Sequence, residues 1–258
     1  MHEPRNGLSV ARNTGIENCS GNIIVFIDDD FIVEKDFLAN LLRSYDSRDV
    51  GSCTGRMLSY RDDELSRVFE KHMSYDRGEV ELRVTARDMN FRTLFKTALS
   101  KALGKRRSVP PYNVGFGFGS FRREVFCRVG EFDTNLGRGT PQMGSDDVDI
   151  YYRALRTGYT IVYQPSAVIR HNHRHTTSEL IEYAYSSGVS IASFTKKYMK
   201  EPYVLALFIA NVILTNFALM KAAIKSDPKL EAIWCAQLRG YFRIFQVSPS
   251  RNRFLMWD

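Results

Sequence analysis

The spacing of apolar residues changes along the chain, and these changes predict its secondary structure. Residues 23–27 are all apolar and mostly β-branched, which is typical of a strand buried on both faces. Elsewhere, apolar residues three and four positions apart predict helices with one buried face. The predicted strands are 23–27, 50–58, 112–121, 159–164 and 167–171, and the predicted helices are 7–16, 34–45, 62–75, 122–129, 146–158 and 178–200.

Three aspartates, Asp28, Asp29 and Asp30, follow the first predicted strand directly. Three adjacent carboxylates repel one another, so a cation among them is the simplest explanation. Clusters of oxygen ligands suit Mg²⁺ or Mn²⁺, which can bridge to phosphate oxygens. In open α/β sheets, ligands also bind at the carboxyl ends of strands. A solvated turn rich in helix-capping aspartate explains an isolated Asp-Asp-Asp equally well.

A second group of carboxylates, Asp146, Asp147 and Asp149, opens the helix predicted over 146–158. Acidic residues are favourable at a helix N-terminus, so simple capping is one explanation of this group. One cap needs a single aspartate, however, and the redundancy favours a chemical role.

Histidines and cysteines are distributed differently along the chain. Three of the five histidines, His171, His173 and His175, lie within five residues, a spacing that can bind a metal and that a surface turn explains nearly as well. The four cysteines are scattered and form no Cys-x-x-Cys pair. Scattered thiols favour a reducing compartment over a disulfide framework or a zinc site.

Residues 203–220 are apolar apart from Asn211, Thr215 and Asn216. A helix of this length barely crosses a hydrocarbon core of roughly 30 Å. Lysines flank both ends, and residues 230–245 follow as a basic amphipathic segment. This pattern favours an interfacial or re-entrant membrane helix, with a spanning helix and a buried soluble helix as alternatives.

Composition adds little to this picture. The 258 residues carry a formal net charge of +7, and 44% of them are hydrophobic, which is ordinary for a globular protein. The positive charge alone selects no partner. The chain has no basic-aromatic motif or recognisable nucleic-acid module, so nucleic-acid binding is not expected. The N-terminus has no hydrophobic region typical of a signal peptide.

Five motifs in sequence order resemble those of the family 2 glycosyltransferases. They are Gly7-Leu-Ser-Val-Ala-Arg-Asn-Thr-Gly-Ile16, Ser20-Gly-Asn-Ile-Ile-Val-Phe-Ile-Asp-Asp-Asp30, Gly119-Ser-Phe-Arg-Arg-Glu-Val-Phe126, Val129-Gly-Glu-Phe-Asp133 and Gly144-Ser-Asp-Asp-Val-Asp-Ile150. The match spans about residues 5–175, and the ordered series is more specific than any single motif. The resemblance implies an α/β protein of the GT-A fold, a doubly wound mixed sheet flanked by helices that binds a nucleotide-sugar and a divalent metal.

The resemblance also implies the residues that bind the donor and the metal. Asp28 and Asp30 match the Asp-x-Asp positions that touch the ribose and the metal-bridged diphosphate, and Asp29 lies between them among the donor contacts. His171 matches a metal or diphosphate contact. The implied cofactor is therefore Mn²⁺ or Mg²⁺, with Asp28, Asp30 and His171 as its ligands.

The same resemblance assigns the catalytic pair. Asp146 and Asp147 match the family's Glu-Asp pair, and Asp147 takes the position of the base. A positioned carboxylate is chemically reasonable there, because an acceptor hydroxyl is a poor nucleophile until its proton is removed. Such a single displacement inverts the anomeric carbon. Arg12 and Asn13 match further donor contacts.

Two departures from the family pattern affect these expectations. The family's two opening strands, which hold the base and the ribose, have no match after Met1, so we expect a truncated chain. A catalytically inactive remnant that only docks on a membrane or a partner is therefore the alternative function. The other departure is Asp146, where the family usually has glutamate. No Gln-x-x-Arg-Trp motif follows the second centre, which favours transfer of a single sugar over processive synthesis.

The expected organisation has two parts. Residues 1–175 form the glycosyltransferase domain, and residues 176–258 form a helical region that associates with the membrane. The expected partners are a nucleotide-sugar donor, a glycan or lipid-linked acceptor and the membrane surface. The expected location is the cytoplasmic face of the cell membrane, in the biosynthesis of cell-envelope polysaccharide.

Overall fold

The computed structural model describes residues 2–64, 66–67, 76–102, 110–113, 118–171 and 176–246. In chain order, the longer elements are α1 (Leu8–Asn18), β1 (Ile23–Phe26), β2 (Phe31–Val33), α2 (Phe37–Arg43), β3 (Val50–Ser59), β4 (Leu82–Val84), α3 (Phe91–Ala102), β5 (Gly119–Arg122), α4 (Arg123–Val129), α5 (Asp146–Arg156), β6 (Thr160–His171), α6 (Thr177–Lys197), α7 (Pro202–Ile224) and α8 (Pro228–Phe242). Short 3₁₀ segments lie at Ala86–Asp88, Pro111–Asn113 and Arg243–Phe245.

The described strands form one mixed sheet in the order β1–β5–β3–β6–β2, with β4 also paired to β6. Strands β3 and β6 run parallel, and the other described pairs are antiparallel. β4 and β2 pair with successive parts of β6, which also pairs with β3 along most of its length. The long strand β6 therefore pairs with three of the other described strands.

β6 replaces the two strands predicted over 159–164 and 167–171. Its pairing with β3 shifts register, because Gly55 pairs with Gln164 and the next residue, Arg56, pairs with Val168. Pro165 falls in this bulge, where its missing N–H breaks no ladder bond. A Cβ at Gly55 would lie 3.2 Å from the Ala167 Cβ, so glycine there lets the bulge approach β3.

The prediction that residues 23–27 are buried on both faces is wrong. Ile24 is buried, but Ile27 is 43% exposed and lies beyond the end of β1. Among the described strands β1 pairs with β5 alone, so only one of its edges is covered. The aromatic ring of Phe26 packs edge-on against those of Phe121 and Phe132, which explains why this position is apolar.

Helices cover both faces of the sheet. One hydrophobic cluster joins α4 and α5 to the sheet, and a second joins α2, α6 and α8 to it. Successive side chains of β6 point to opposite faces of the sheet and so join different clusters. Ile161 and Tyr163 belong to the first cluster, and Val162 belongs to the second. This arrangement confirms the mixed α/β sheet flanked by helices.

Several predicted boundaries change. The strand predicted over 112–121 begins at Gly119, and its start is instead the 3₁₀ segment Pro111–Asn113; residues 114–117 lie outside the described residues, as does most of the helix predicted over 62–75. The elements β2, β4 and α3 were not predicted. β2 and β4 have three residues each, too few to show a period. In α3 the aromatic residues Phe91 and Phe95 are exposed, so its apolar positions do not mark a single buried face.

The C-terminal helices pack on the same body. A capping box of Thr176 and Glu179 starts α6, one residue before the predicted position. α6 and α8 approach closely, because a Cβ at Gly188 would lie 3.0 Å from the Cα of Gly240. Val204 and Leu207 of α7 join the same hydrophobic cluster as α5. The division of the chain at residue 175 stays a prediction.

α7 is the one described helix that is long and apolar enough to cross a membrane, by length and composition alone. Only 17% of its most apolar stretch is buried. Its exposed apolar residues follow one stripe, at Leu205, Ile209, Ile213, Phe217, Met220 and Ile224.

Candidate active site

α1 begins beside the loop that precedes α5. The backbone N–H of Leu8 donates to the Arg138 carbonyl at 3.0 Å, and the Ser9 hydroxyl donates to the Leu136 carbonyl at 2.8 Å. Ser9, Arg12 and Ile16 are the buried residues of α1, and their spacing gives them one helix face. The side chain of Arg12 therefore points into the protein from the face that contacts this loop.

Arg12 joins the two acidic centres. Its Nη1 lies 2.6 Å from Asp146 Oδ2, and its Nη2 lies 3.4 Å from Asp28 Oδ1. Burial lowers the pKa of Arg12, but the charges of Asp146, Asp147 and Asp28 outweigh this effect and raise the pKa overall. The structure thus brings together two groups of carboxylates that are far apart in the sequence.

The turn into α5 is strained at residues that carry side chains. Met143 and Ser145 have φ of 61° and 66°, the left-handed region that such residues rarely adopt. The Ser145 hydroxyl lies 2.9 Å from the Ser190 carbonyl of α6, which holds the turn. Strained backbone of this kind clusters at functional sites, and here it sets the direction in which Asp146 and Asp147 leave the helix.

Asp147 has a raised pKa. Burial raises the pKa of Asp147 to about 6, the charge of Asp146 adds to the rise, and Arg12 opposes it. The carboxylate accepts a hydrogen bond of 2.8 Å from the Val148 backbone N–H and lines the main cavity. A carboxylate that exchanges its proton near neutral pH can act as a general base.

Asp149, the third carboxylate of α5, has structural contacts. It lies 2.6 Å from the Lys197 ammonium and 2.8 Å from the Arg153 guanidinium, and it accepts a hydrogen bond from the Tyr198 hydroxyl. Lys197 also pairs with buried Asp133 at 2.8 Å. This buried network ties α5 to α6, so Asp146 and Asp147 are the acids of α5 that line the cavity.

Asp30 and His171 form the second part of the site. Asp30 Oδ2 lies 3.1 Å from His171 Nε2. The pairing of β2 with β6 brings these side chains together, because β2 begins at Phe31, directly opposite His171 on β6. The rings of Phe31 and His171 are 5.0 Å apart. His173 and His175 lie outside the described residues. Asp29 is exposed and does not line the cavity.

Asp28 lies between the two parts of the site. Burial raises the pKa of Asp28, the charges of Asp30 and Asp146 add to the rise, and Arg12 lowers it. Among the described residues, no group of three or more histidine, cysteine or acidic side chains is arranged to hold a metal. Asp30 and His171 offer one carboxylate and one imidazole, and such a partial set fits a cation that keeps other ligands from phosphate and water.

Asn13 has a role that the sequence did not indicate. Its Nδ2 donates to the Phe132 carbonyl, and its Oδ1 accepts from the Phe132 N–H, both at 2.9 Å. Both ends of the amide therefore hold α1 to the loop after α4. The predicted donor contact of Asn13 stays a prediction, and its amide is already paired in this structure.

The cavity beside these residues has a volume of about 300 Å³. The described residues that line it include Arg12, Asp28, Asp30, Asp146, Asp147 and His171. Arg138 and the polar face of α6 also line the cavity, and the sequence analysis did not predict either of them. The Gly137-Arg138-Gly139 triplet is a turn signal that points to Arg138, and both glycines have positive φ.

Comparisons with known proteins show which family this chain resembles. A family model described as Glycosyl transferase family 2 matches residues 1–125. A pre-mycofactocin glycosyltransferase of Mycobacterium tuberculosis is 26% identical over 177 residues, which cover 67% of this chain and 32% of the relative. An O-antigen chain rhamnosyltransferase of Salmonella anatum is 25% identical over 171 residues, covering 65% of this chain and 46% of the relative.

A longer match is a glucosyl-dolichyl phosphate glucuronosyltransferase of Haloferax volcanii, 23% identical over 95% of this chain and 72% of the relative. The chain spans between about a third and a half of the length of the first curated relatives. The fold defines a mixed α/β protein with an acidic cavity at the sheet. These matches support a family 2 glycosyltransferase domain, which the family model places at residues 1–125.

Proposed function

We propose that this chain transfers one sugar from a nucleotide-sugar donor to a lipid-linked or surface-glycan acceptor, with inversion of the anomeric carbon. The main support is the position of Arg12, whose guanidinium contacts both acidic centres beside one cavity. The relatives named for rhamnosyl and glucuronosyl transfer support the general reaction.

Asp147 is the proposed base. It takes the proton of the acceptor hydroxyl while that oxygen forms a bond to the anomeric carbon. The bond from the anomeric carbon to the diphosphate oxygen breaks, and its electron pair leaves with the nucleotide. Asp146 stays in its ion pair with Arg12, and its charge raises the pKa of Asp147.

Asp30 and His171, with Asp28 beside them, are the proposed ligands of Mg²⁺ or Mn²⁺. Asp30 and His171 lie 3.1 Å apart, and the carboxylates of Asp28 and Asp30 are the ligand type that suits such an ion. When bound, the ion supplies positive charge for the departing diphosphate. Arg12 supports the same charge from the protein side, because its guanidinium lies within 3.4 Å of Asp28.

We also propose that α7 rests on the cytoplasmic surface of the membrane. Its exposed stripe is apolar, and exposed Lys200, Lys221 and Lys225 lie near its two ends, where anionic head groups would meet them. Ile209→Glu with Ile213→Glu should abolish sedimentation with vesicles containing phosphatidylglycerol. Leu42→Glu, at an exposed leucine of α2, should leave it unchanged. Equal sedimentation of both variants would contradict the role of α7.

The proposal is tested by thermal unfolding with Mn²⁺ and UDP, GDP or dTDP, beside Asp30→Ala. Ligand at ~100 times its Kd stabilises by roughly 2.7 kcal/mol, which raises Tm by several degrees for a domain of this size. A shift with one nucleotide that Asp30→Ala removes supports the metal site and identifies the donor class. No shift with any nucleotide favours the alternative, a catalytically inactive module that docks through the exposed face of α7.

A further inference from the structure

One face of α6 lines the cavity with hydroxyl groups. Tyr183, Ser186, Ser187 and Ser190 are spaced as neighbours on a single helix face, and all four are half-buried. The opposite face is different, because Ala184 and Gly188 are buried in the contact with α8. Two of the serines also have contacts within the protein, because the Ser190 hydroxyl lies 2.6 Å from the Ser145 hydroxyl and the Ser186 hydroxyl donates to the Tyr183 carbonyl at 2.9 Å. Their oxygens keep lone pairs that a ligand hydroxyl can use.

Arg138 provides a cation at the same wall. Its guanidinium lies 5.4 Å from the centre of the Tyr183 ring, within the range of a cation–π contact. The residue is exposed and lines the cavity, and it has no ion pair with any carboxylate of the described chain. Its carbonyl is held by Leu8, so the backbone that carries it is fixed.

α7 contributes a mainly apolar wall to the same cavity. Val204, Leu207, Phe208 and Asn211 line the cavity at the spacing of one helix face. The other face carries the exposed stripe that includes Leu205 and Ile209. The same helix therefore lines the cavity with one face and carries the exposed apolar stripe on the other.

We infer that Arg138, Tyr183 and the serines of α6 form the acceptor subsite, and that it takes a glycan linked through phosphate to a lipid. Arg138 binds the phosphate, the serine hydroxyls bind the sugar, and the lipid chain lies along the apolar wall of α7. This inference rests on the proposed function. It assigns the donor to the part of the cavity that Arg12, Asp28 and Asp30 line.

The charges support this division. The carboxylates Asp28, Asp30, Asp146 and Asp147 line the cavity together with Arg12, which is already paired with Asp28 and Asp146. An anionic acceptor needs a cation that is free to accept it, and a guanidinium binds phosphate oxygens in a bidentate manner. Stacking on Tyr183 holds the Arg138 guanidinium in place and leaves its N–H groups available.

The test uses dodecyl phosphate, below its micelle concentration, as the probe for binding to the full chain by titration calorimetry. Arg138→Gln should weaken binding at least tenfold. Arg128→Gln is the matched control, because Arg128 also lies over a tyrosine ring, at 5.2 Å from Tyr159, and is outside the cavity. Ser187→Leu fills the polar wall and should weaken binding as well.

Further arms separate the alternatives. Inorganic phosphate should bind at least tenfold more weakly than dodecyl phosphate, and equal binding would overturn the lipid part of the inference. The thermal shift by Mn²⁺ and nucleotide should be unchanged in Arg138→Gln. Loss of that shift would assign Arg138 to the donor, and unchanged probe binding would remove it from the subsite. Arg138-dependent probe binding without any nucleotide shift would keep the subsite and reject the transferase proposal.

Discussion

The two acidic centres use the same residue type in opposite surroundings. The Asp30 side chain, at the end of a strand, is 55% exposed, whereas Asp146, at the start of a helix, is 4% exposed. The exposed carboxylate is solvated and available to a cation. The buried one has Arg12 as its counter-ion, and beside it Asp147 has a raised pKa. Burial thus gives identical side chains different charge environments, which suits the two roles proposed for them.

The largest effect is expected at Asp147. Asp147→Asn keeps the size of the side chain and removes the proton acceptor, so we expect kcat to fall about 10²- to 10⁴-fold. Transfer of a labelled sugar measures kcat. The thermal shift by Mn²⁺ and nucleotide should survive, because Asp147 does not belong to the exposed centre. A variant with wild-type kcat would show that burial does not separate the two tasks.

The second effect concerns the link between the centres. Arg12→Gln leaves Asp146 buried without its counter-ion, and we expect a loss of about 3–5 kcal/mol in the free energy of unfolding. Urea denaturation measures it. The control is Arg67→Gln, which breaks an exposed pair with Asp62 and should change stability by about 1 kcal/mol or less. Equal effects would mean that water reaches Asp146.

A smaller effect is expected at the exposed centre. Asp30→Ala should change the stability of the protein alone by no more than about 0.5 kcal/mol, because the side chain is half-exposed. It should remove the ~2.7 kcal/mol that metal and nucleotide add at saturating concentration. Thermal unfolding with and without ligand measures both, and Asp62→Ala is the control on another exposed carboxylate. A large loss in the free protein would contradict the contrast between the centres.

Local patterns were enough to predict the elements that carry the acids. Asp28–Asp30 follow a strand and Asp146–Asp147 open a helix, and both facts depend on neighbouring residues only. The burial of β1 was predicted wrongly because it depends on how many strands flank it, which no local pattern records. The strand β2 was missed for a similar reason, since three residues show no period.

Contacts across the chain could not be predicted from spacing. Arg12 meets Asp146 across 134 positions, and Asn13 meets Phe132 across 119. The resemblance placed both residues at the donor, yet neighbours in sequence on one helix point to different partners. Arg138 was not predicted as a site residue because it lies in a loop. The direction of its side chain depends on how α1 and α6 pack against that loop.

The remaining prediction concerns the pH dependence of the buried centre. The folded pKa of Asp147, about 6, lies above the ordinary value of about 3.9. Its contribution to stability is therefore complete below pH ~4 and is lost as the pH rises through ~6. Relative to Asp147→Asn, the wild type should become less stable over this interval in urea titrations. The rate should change in the opposite direction, because kcat/KM increases as Asp147 loses its proton. A wild type that tracks the variant at every pH would place Asp147 in water, and the contrast with Asp30 would then have no electrostatic basis.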